Sequence, residues 1–282
     1  MSGETLDIPI DQPDFPVPPP LSSHGPARVI SLCNQKGGVG KTTTAVNLGA
    51  ALAEYGRQVL IVDFDPQGSA SVALGVAPKE DQATVYDALM HSDTKVTDII
   101  RHTSTSGLDV APANIDLSAA EVQLVGEVAR ENTLTRMLRP VTDLYDVILI
   151  DCQPSLGLLT VNALTASHGV LIPLETEYFA WRGVALLVDT IDKVADRLNP
   201  RLKIDGIVAT MVDSRTLHSR EVLQRVHEAF GDRVFETVIA RTVKFPDSSI
   251  ASASILSFAP NHPGAQAYRR LARELVARGD AA

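Results

Sequence analysis

A glycine-rich turn between an apolar run and a helical stretch constrains this chain more than any other feature. Residues 29–33 have the pattern of a buried strand and residues 42–55 that of a helix, and between them lies Lys36-Gly37-Gly38-Val39-Gly40-Lys41-Thr42-Thr43. Glycines let backbone N–H groups converge on an anion, and the positive end of the helix dipole faces the same point. This order of elements predicts a phosphate loop, here defined as residues 36–43, rather than a chance lysine in a glycine turn.

Apolar segments alternate with amphipathic ones along the rest of the chain. Strands are predicted at 29–33, 58–63, 108–111, 146–151, 169–174, 204–212 and 234–239. Helices are predicted at 42–55, 118–129, 134–139, 157–167, 181–198, 218–230 and 265–277. Near-continuous apolar strands between amphipathic helices are typical of a parallel sheet that is covered on both faces. The fold class that follows is α/β, with a single domain of a mainly parallel sheet flanked by helices over residues 28–282.

The first 27 residues differ in composition from the rest. They hold seven of the 17 prolines and four acidic residues, with little periodicity, which predicts a disordered tail over 1–27. We expect a cytoplasmic protein without a membrane span, since there is no basic-then-apolar leader and no run of about 18 apolar residues. Cys33 and Cys152 lie far apart in sequence. A disulfide remains open, and two reduced thiols suit a cytosolic protein better.

Charge is distributed unevenly over the chain. Residues 1–192 carry 11 Lys and Arg against 24 Asp and Glu, a net charge of −13, and residues 193–282 carry 14 against 10, a net charge of +4. The basic C-terminal third is compatible with an electrostatic footprint for DNA and equally with solvated helix faces.

Two acidic motifs follow predicted strands near the loop. Asp65 lies in Asp-Phe-Asp-Pro-Gln after the second strand, and Asp151 begins Asp-Cys-Gln-Pro-Ser after the apolar run Val147-Ile148-Leu149-Ile150. Lys41 is expected to reach the β and γ phosphates of ATP, and the Thr42 hydroxyl to bind Mg²⁺. Acids at strand ends beside such a loop are placed to hold Mg²⁺ through water and to position the attacking water. An ordinary helix cap is the alternative for either acid alone.

Lys36 makes the loop Lys-Gly-Gly-x-Gly-Lys-Thr instead of the common Gly-x-x-x-x-Gly-Lys-Thr. Here the sequence resembles the deviant phosphate-loop ATPases, which include ParA/Soj partition proteins, MinD, the nitrogenase iron protein and arsenite-pump ATPases. The resemblance implies that Lys36 crosses a dimer interface to the partner's nucleotide, so that ATP joins two chains. It also implies that Asp65 orients or activates water and that Asp151 is the metal-side acid. The catalytic residues would be Lys36, Lys41 and Asp65, and the metal site Thr42, Asp65 and Asp151.

Within that family the chain is most similar to ParA/Soj, from about residue 28 to the C-terminus. The matching motifs are Asn34-Gln35 with the loop, Asp65-Pro66-Gln67-Gly68, Pro154-Ser155-Leu156, Asn162-Ala163-Leu164, Glu177-Tyr178 with Gly183, and Pro263-Gly264-Ala265 with Tyr268. A MinD-like protein needs a basic amphipathic membrane helix, whereas the apolar face of residues 268–277 suits packing on the domain. An iron protein needs a cluster cysteine away from the loop, and both cysteines here adjoin site motifs.

The ParA/Soj resemblance also implies partners. It places nonspecific double-stranded DNA on Arg215 and Lys244, with Arg220 and Arg241 as helpers. It implies an ATP-dependent homodimer on the nucleoid and a ParB/Spo0J-like protein that stimulates hydrolysis.

Some positions depart from the ParA/Soj pattern. Phe245-Pro246-Asp247 follows Lys244, and Cys152-Gln153 replaces the usual Ala-Pro. These departures leave a second hypothesis open, an ATPase that positions a protein cargo or regulates replication or condensation machinery with little DNA binding. Met211 and Asp213 are expected near the adenine.

Overall fold

The computed structural model describes residues 14–176, 180–213 and 216–279. Its strands are β1 (Arg28–Leu32), β2 (Val59–Phe64), β3 (Arg101–His102), β4 (Leu108–Ala111), β5 (Val147–Cys152), β6 (Gly169–Glu175) and β7 (Lys203–Thr210). They form one sheet in the order β3-β4-β2-β5-β1-β6-β7. All neighbouring pairs are parallel except β3 with β4, so the mainly parallel sheet predicted from the sequence is confirmed.

Helices cover both faces of the sheet. They are α1 (Lys41–Glu54), α2 (Ser69–Ala73), α3 (Val85–Met90), α4 (Val96–Ile99), α5 (Leu117–Gln123), α6 (Thr133–Leu138), α7 (Leu158–Ala166), α8 (Ala180–Arg197), α9 (Leu217–Phe230), α10 (Lys244–Ile250), α11 (Ile255–Phe258) and α12 (Pro263–Ala277). The sequence did not predict α2, α3, α4, α10 and α11, which are too short to show a helical period. Leu60 packs in the core that faces α7, and its neighbour Ile61 packs in the core that faces α1 and α12. The alternation of side chains along each strand therefore builds two cores.

The predicted strand at 234–239 is wrong. This segment makes only single bridges to the sheet edge, Ile207 to Val234 and Val212 to Ala240. The buried carboxylate of Glu274 accepts hydrogen bonds from the backbone N–H groups of Glu236 and Thr237, at 2.8 and 2.9 Å. Because a side chain takes two backbone donors in the middle of the segment, no regular ladder forms there.

The sheet brings the ends of its central strands together. Asp151 of β5 is in register with Leu32 of β1 on one side and with Asp63 of β2 on the other. The chain leaves β1 towards β2 on one side of the sheet, while β6 and β7 lie on the other side. A crevice forms outside the carboxyl ends of parallel strands where the strand order reverses in this way. The phosphate loop follows β1 and lies in this crevice.

The described part of the predicted tail contacts the domain. Buried Arg57 donates a hydrogen bond of 2.8 Å from Nη1 to the carbonyl oxygen of Pro19. The carboxylate of Asp146 binds Nδ1 of His24 at 2.8 Å and the N–H of Gly25 at 2.9 Å. These contacts count against a tail that is independent of the domain over residues 14–27. Residues 1–13 lie outside the described part of the chain.

No helix in the described part of the chain is both long and apolar enough to span a bilayer.

Candidate functional site

The phosphate loop is shaped by glycine and fixed to the sheet. Gly40 has φ of 84° and immediately precedes α1, a left-handed conformation that residues with a side chain rarely adopt. Val39 is buried, and its carbonyl oxygen accepts a hydrogen bond of 2.8 Å from the hydroxyl of Thr210 at the end of β7. The first backbone N–H groups of α1 are therefore presented at the crevice, where they form an anion site.

Lys41 is the first residue of α1 and is buried, with 7% of its surface exposed. Its Nζ donates to the carbonyl oxygen of Lys36 at 3.2 Å, across the loop. Burial lowers the pKa of Lys41 below its ordinary value, and the nearby charge of Asp151 opposes that shift. An ammonium group held at the loop by a backbone carbonyl oxygen is placed to bind phosphate oxygens as a point charge.

Two carboxylates lie side by side beneath the loop. Asp63 and Asp151 are fully buried and in register on adjacent strands. The Ser71 hydroxyl and N–H donate to one oxygen of Asp63, at 2.6 and 2.8 Å. Burial raises the pKa of Asp63 to about 6 despite these bonds. Burial, and then the charge of Asp63, raises the pKa of Asp151 to about 8, while Thr42 and Lys41 lower it in part.

The surroundings of Asp151 fit a magnesium ion. Both of its carboxylate oxygens are buried and neither makes a hydrogen bond of normal geometry, although the Thr42 hydroxyl is near enough to lower its pKa. Among the described residues no group of three or more His, Cys, Asp or Glu side chains forms a metal cage. Mg²⁺ characteristically takes one or two carboxylates, waters and phosphate oxygens rather than an all-protein cage. Thr42 and Asp151 therefore match the donor set of a Mg²⁺ that arrives with a nucleotide.

A cavity of about 710 Å³ opens beside the loop. Its lining brings together these predicted site residues: Gly37, Gly38, Gly40, Lys41, Thr42, Thr43, Asp65 and Met211. Asp65 is half-buried in the turn after β2, where its Oδ1 accepts from the N–H of Gln67 at 3.0 Å. Asp151 lies behind this surface, and Asp213 is not part of the lining that the structure describes. The volume suits a ligand of nucleotide size.

Lys36 is not among the residues that line this cavity. Its Nζ donates to Oε2 of Glu175 at 2.9 Å, and Oε1 of the same carboxylate accepts from Nη2 of Arg241 at 3.0 Å. Glu175 is the last residue of β6 and Asp151 is the last but one of β5, so the signal that identified Asp65 and Asp151 in the sequence, an acid at the end of an apolar strand, also points to Glu175. The sequence prediction nevertheless passed over Glu175.

Two more residues of the site went unpredicted. Asn47 is buried on α1, where its Nδ2 donates to the carbonyl oxygen of Thr43 at 2.7 Å and its Oδ1 accepts from the N–H of Ile255 at 2.7 Å. Thr210 binds the loop from the far edge of the sheet. Both act through contacts more than 150 residues apart in sequence, which no local pattern reveals.

Of the residues predicted to bind DNA, Lys244 and Arg241 each form an ion pair with an acid of the same chain. Arg215 lies outside the described residues. Arg220 is exposed on α9. Lys244 lies 3.1 Å from Asp247, and Arg241 is bound to Glu175. The DNA assignment stays a prediction.

The cysteines are both free and buried. Their Sγ atoms lie 3.3 Å apart, because Cys33 directly follows β1 and Cys152 ends the neighbouring strand β5. Burial raises the pKa of Cys152 well above its usual range. Two reduced thiols, the interpretation favoured by the sequence, are what the structure contains.

Comparison with known proteins identifies relatives along most of the chain. Residues 27–204 match the AAA_31 family model, described as an AAA domain. The chain is 46% identical over 252 residues to the sporulation initiation inhibitor protein Soj of Bacillus subtilis, covering 89% of this chain and 99% of that one. It is 44% identical over 258 residues to the chromosome partitioning protein ParA of Caulobacter vibrioides, covering 91% and 96%.

Solved structures share the fold. A Mycobacterium smegmatis structure, named cobyrinic acid a,c-diamide synthase and solved with bound ADP and magnesium, superimposes with a TM-score of 0.78. The identity to it is 41%, and the match covers 89% of this chain and 94% of that one.

Proposed function

This chain belongs to the ParA/Soj family of ATPases, and from that premise we propose that it is a DNA-partitioning ATPase that acts on the nucleoid in the cytoplasm. One observation carries the proposal. Around a single cavity, the chain gathers a phosphate-binding loop with buried Lys41, the half-buried acid Asp65 and, close to Thr42, a buried Asp151 whose oxygens make no hydrogen bond of normal geometry. This set of groups suits Mg-ATP.

The nucleotide is held by backbone and by charge. The N–H groups of the loop and the start of α1 bind the phosphates, and Lys41 binds the β and γ oxygens. Thr42 would hold Mg²⁺ through its hydroxyl and Asp151 would do so through water, and the ion so held would supply positive charge to the phosphates. Asp65 orients the attacking water and accepts its hydrogen bond.

ATP joins two chains when Lys36 of each reaches the nucleotide of the other. The dimer binds nonspecific duplex DNA through basic residues of the C-terminal third, and doubling the contacts converts weak binding into stable binding. Slow hydrolysis, stimulated by a ParB/Spo0J-like partner, returns the protein to single chains. The ADP and magnesium bound in the M. smegmatis structure support this choice of ligands.

A second candidate is an ATPase that positions a protein cargo with little DNA binding. The ion pairs of Arg241 with Glu175 and of Lys244 with Asp247 favour it, because phosphate contacts by these cations have to compete with acids of the same chain.

The name of the M. smegmatis protein suggests a third activity, amidation of an acid. A cysteine that acted as a nucleophile in such a reaction would have to be accessible. The two cysteines of this chain are each 1% exposed. We therefore retain partitioning.

Sedimentation velocity with duplex DNA tests the proposal. The full chain, with Mg²⁺ and a non-hydrolysable ATP analogue, is expected to form a dimer that binds DNA, whereas with ADP it stays single and unbound. Lys36→Ala is expected to bind the analogue without dimerising. A wild-type chain that stays single at saturating analogue contradicts the switch. A dimer that does not bind DNA favours the protein-cargo candidate.

A further inference from the structure

A nearly buried carboxylate bridges two exposed cations at the edge of the site. The side chain of Glu175 is 11% exposed, against 44% for Lys36 and 66% for Arg241. One carboxylate oxygen binds Lys36 at 2.9 Å, and the other binds Arg241 at 3.0 Å. The first lysine of the loop, which has to reach outward to bind a partner's nucleotide, is thus bound within its own chain.

The side chain of Asn34 fixes this arrangement. Asn34 Nδ2 donates to the carbonyl oxygen of Pro173 at 2.8 Å, and Asn34 Oδ1 accepts from the N–H of Lys36 at 3.0 Å. The start of the loop is therefore tied to the end of β6, two residues before Glu175. These two contacts between the Asn34 side chain and the main chain hold the lysine and the carboxylate within reach of each other.

We propose that Glu175 is a positioning residue that holds Lys36 in the single chain and releases it when an ATP-bound second copy offers its phosphates. The inference rests on the proposed function, because it requires Lys36 to act across a dimer. A triphosphate carries several negative charges against one on Glu175, so the lysine changes counter-ion only when nucleotide is present on the partner. Glu175 thereby lowers the fraction of single chains that are ready to dimerise.

Arg241 compensates the negative charge of Glu175 after Lys36 has left it. Once Lys36 has left, Glu175 is a largely buried carboxylate, and such a charge is costly unless it keeps a partner. Arg241 remains on the other oxygen. Without Arg241, departure of Lys36 leaves Glu175 poorly compensated, so Lys36 is held more tightly. The two residues therefore have opposite effects on dimerisation, whereas two merely structural residues would both weaken the dimer when replaced.

The dissociation constant of the dimer, measured by sedimentation velocity with Mg²⁺ and a non-hydrolysable ATP analogue, tests this exchange. Glu175→Gln keeps the size and an oxygen for Arg241, and it is expected to tighten the dimer by about twofold to fivefold, the range of a partly exposed ion pair. Arg241→Ala is expected to weaken it by about the same factor. Lys193→Ala, which removes an exposed ion pair with Asp189 on α8, serves as the matched control and should change nothing.

The outcomes separate the two proposals. A wild-type chain that does not dimerise with the analogue overturns the proposed function. A wild-type chain that dimerises, with Glu175→Gln equal to it or weaker, overturns the role of Glu175 alone. Glu175→Asp, which shortens the side chain by one methylene, repeats the test if Glu175→Gln is less stable in thermal unfolding, and it too is expected to tighten the dimer.

Discussion

The hydroxyl of Thr210 donates a hydrogen bond of 2.8 Å to the carbonyl oxygen of Val39, so the last residue of β7 fixes the middle of the phosphate loop. Both residues are almost completely buried, at 2% and 1% exposure. The loop follows a central strand, yet its shape depends on a strand that the chain reaches 171 residues later.

Replacing Thr210 by valine removes this bond with little change of volume. We expect the free energy of unfolding to fall by about 0.5–1.5 kcal/mol, and affinity for ATP to fall by about threefold to tenfold because the loop loses an anchor. Isothermal titration with ATP measures the second effect. Thr165→Val is the control, since Thr165 is also buried and binds the carbonyl oxygen of Val161 within α7, away from the loop. Equal ATP affinity in the two variants would refute the anchoring role.

Lys41→Ala removes the buried cation of the loop. A charge-assisted bond to phosphate contributes about 1.5–3 kcal/mol, so ATP affinity should fall by about tenfold to a hundredfold. Fluorescent ATP titration gives the value. Lys203→Ala, at the exposed start of β7, should bind ATP like the wild type. Retention of full affinity by Lys41→Ala would contradict the assignment of the loop.

Asp65→Ala removes the acid that positions water. Steady-state ATP turnover should fall by about a hundredfold or more, and the ATP-bound dimer should persist on DNA. A phosphate-release assay and filter binding measure the two effects. Asp116→Ala is the control. It removes an exposed carboxylate that accepts a hydrogen bond from Asn114, and it should leave turnover unchanged. Normal turnover in Asp65→Ala means that another group positions the water.

Asn47→Ala removes a buried hydrogen bond between two helices. The side chain of Asn47 joins α1 to the N–H of Ile255, the first residue of α11, at 2.7 Å. Its loss leaves a buried N–H without a partner, which costs about 1–3 kcal/mol in the free energy of unfolding. Urea unfolding provides the measurement. Gln224→Ala, which breaks an exposed bond to Glu228, should cost much less. A similar loss of unfolding free energy in both variants would show that the buried hydrogen bond of Asn47 stabilises the protein no more than the exposed bond of Gln224.

His168 gives stability a pH dependence. Its Nδ1 accepts from the N–H of Val29 at 2.9 Å, which requires the neutral ring. Burial, then the charges of Arg201 and Arg28, lower the pKa of His168 below 6.5. The unfolded chain therefore takes up a proton on this residue before the folded chain does, so its contribution to stability is complete above pH 6.5 and is lost as the pH falls through the folded pKa.

Urea unfolding at a series of pH values checks this. The free energy of unfolding of the wild type should fall below pH 6.5, and that of His168→Gln should fall less over the same interval. His102→Gln, at an exposed histidine beside Asp109, should follow the wild type. An unchanged slope in His168→Gln would exclude this histidine as the cause.

Local sequence patterns were enough to predict part of the nucleotide site. Gly40, Lys41 and Thr42 are recognisable by their spacing, and Asp65 and Asp151 by following apolar strands. The prediction of a strand at 234–239 was wrong, because a pattern of apolar and polar residues cannot show that the Glu274 carboxylate accepts hydrogen bonds from two backbone N–H groups of that segment. Thr210 and Asn47 were missed for the same reason, since their partners are brought near only by the folded sheet.

The burial of both thiols makes the protein convenient for labelling. Maleimide dyes react with accessible thiolates, and neither Cys33 nor Cys152 offers one, since each is 1% exposed. A single cysteine introduced at the exposed position Ser92 can then carry a dye in the otherwise native chain. Exchange of subunits between differently coloured preparations could be followed by energy transfer, without first replacing residues beside the nucleotide.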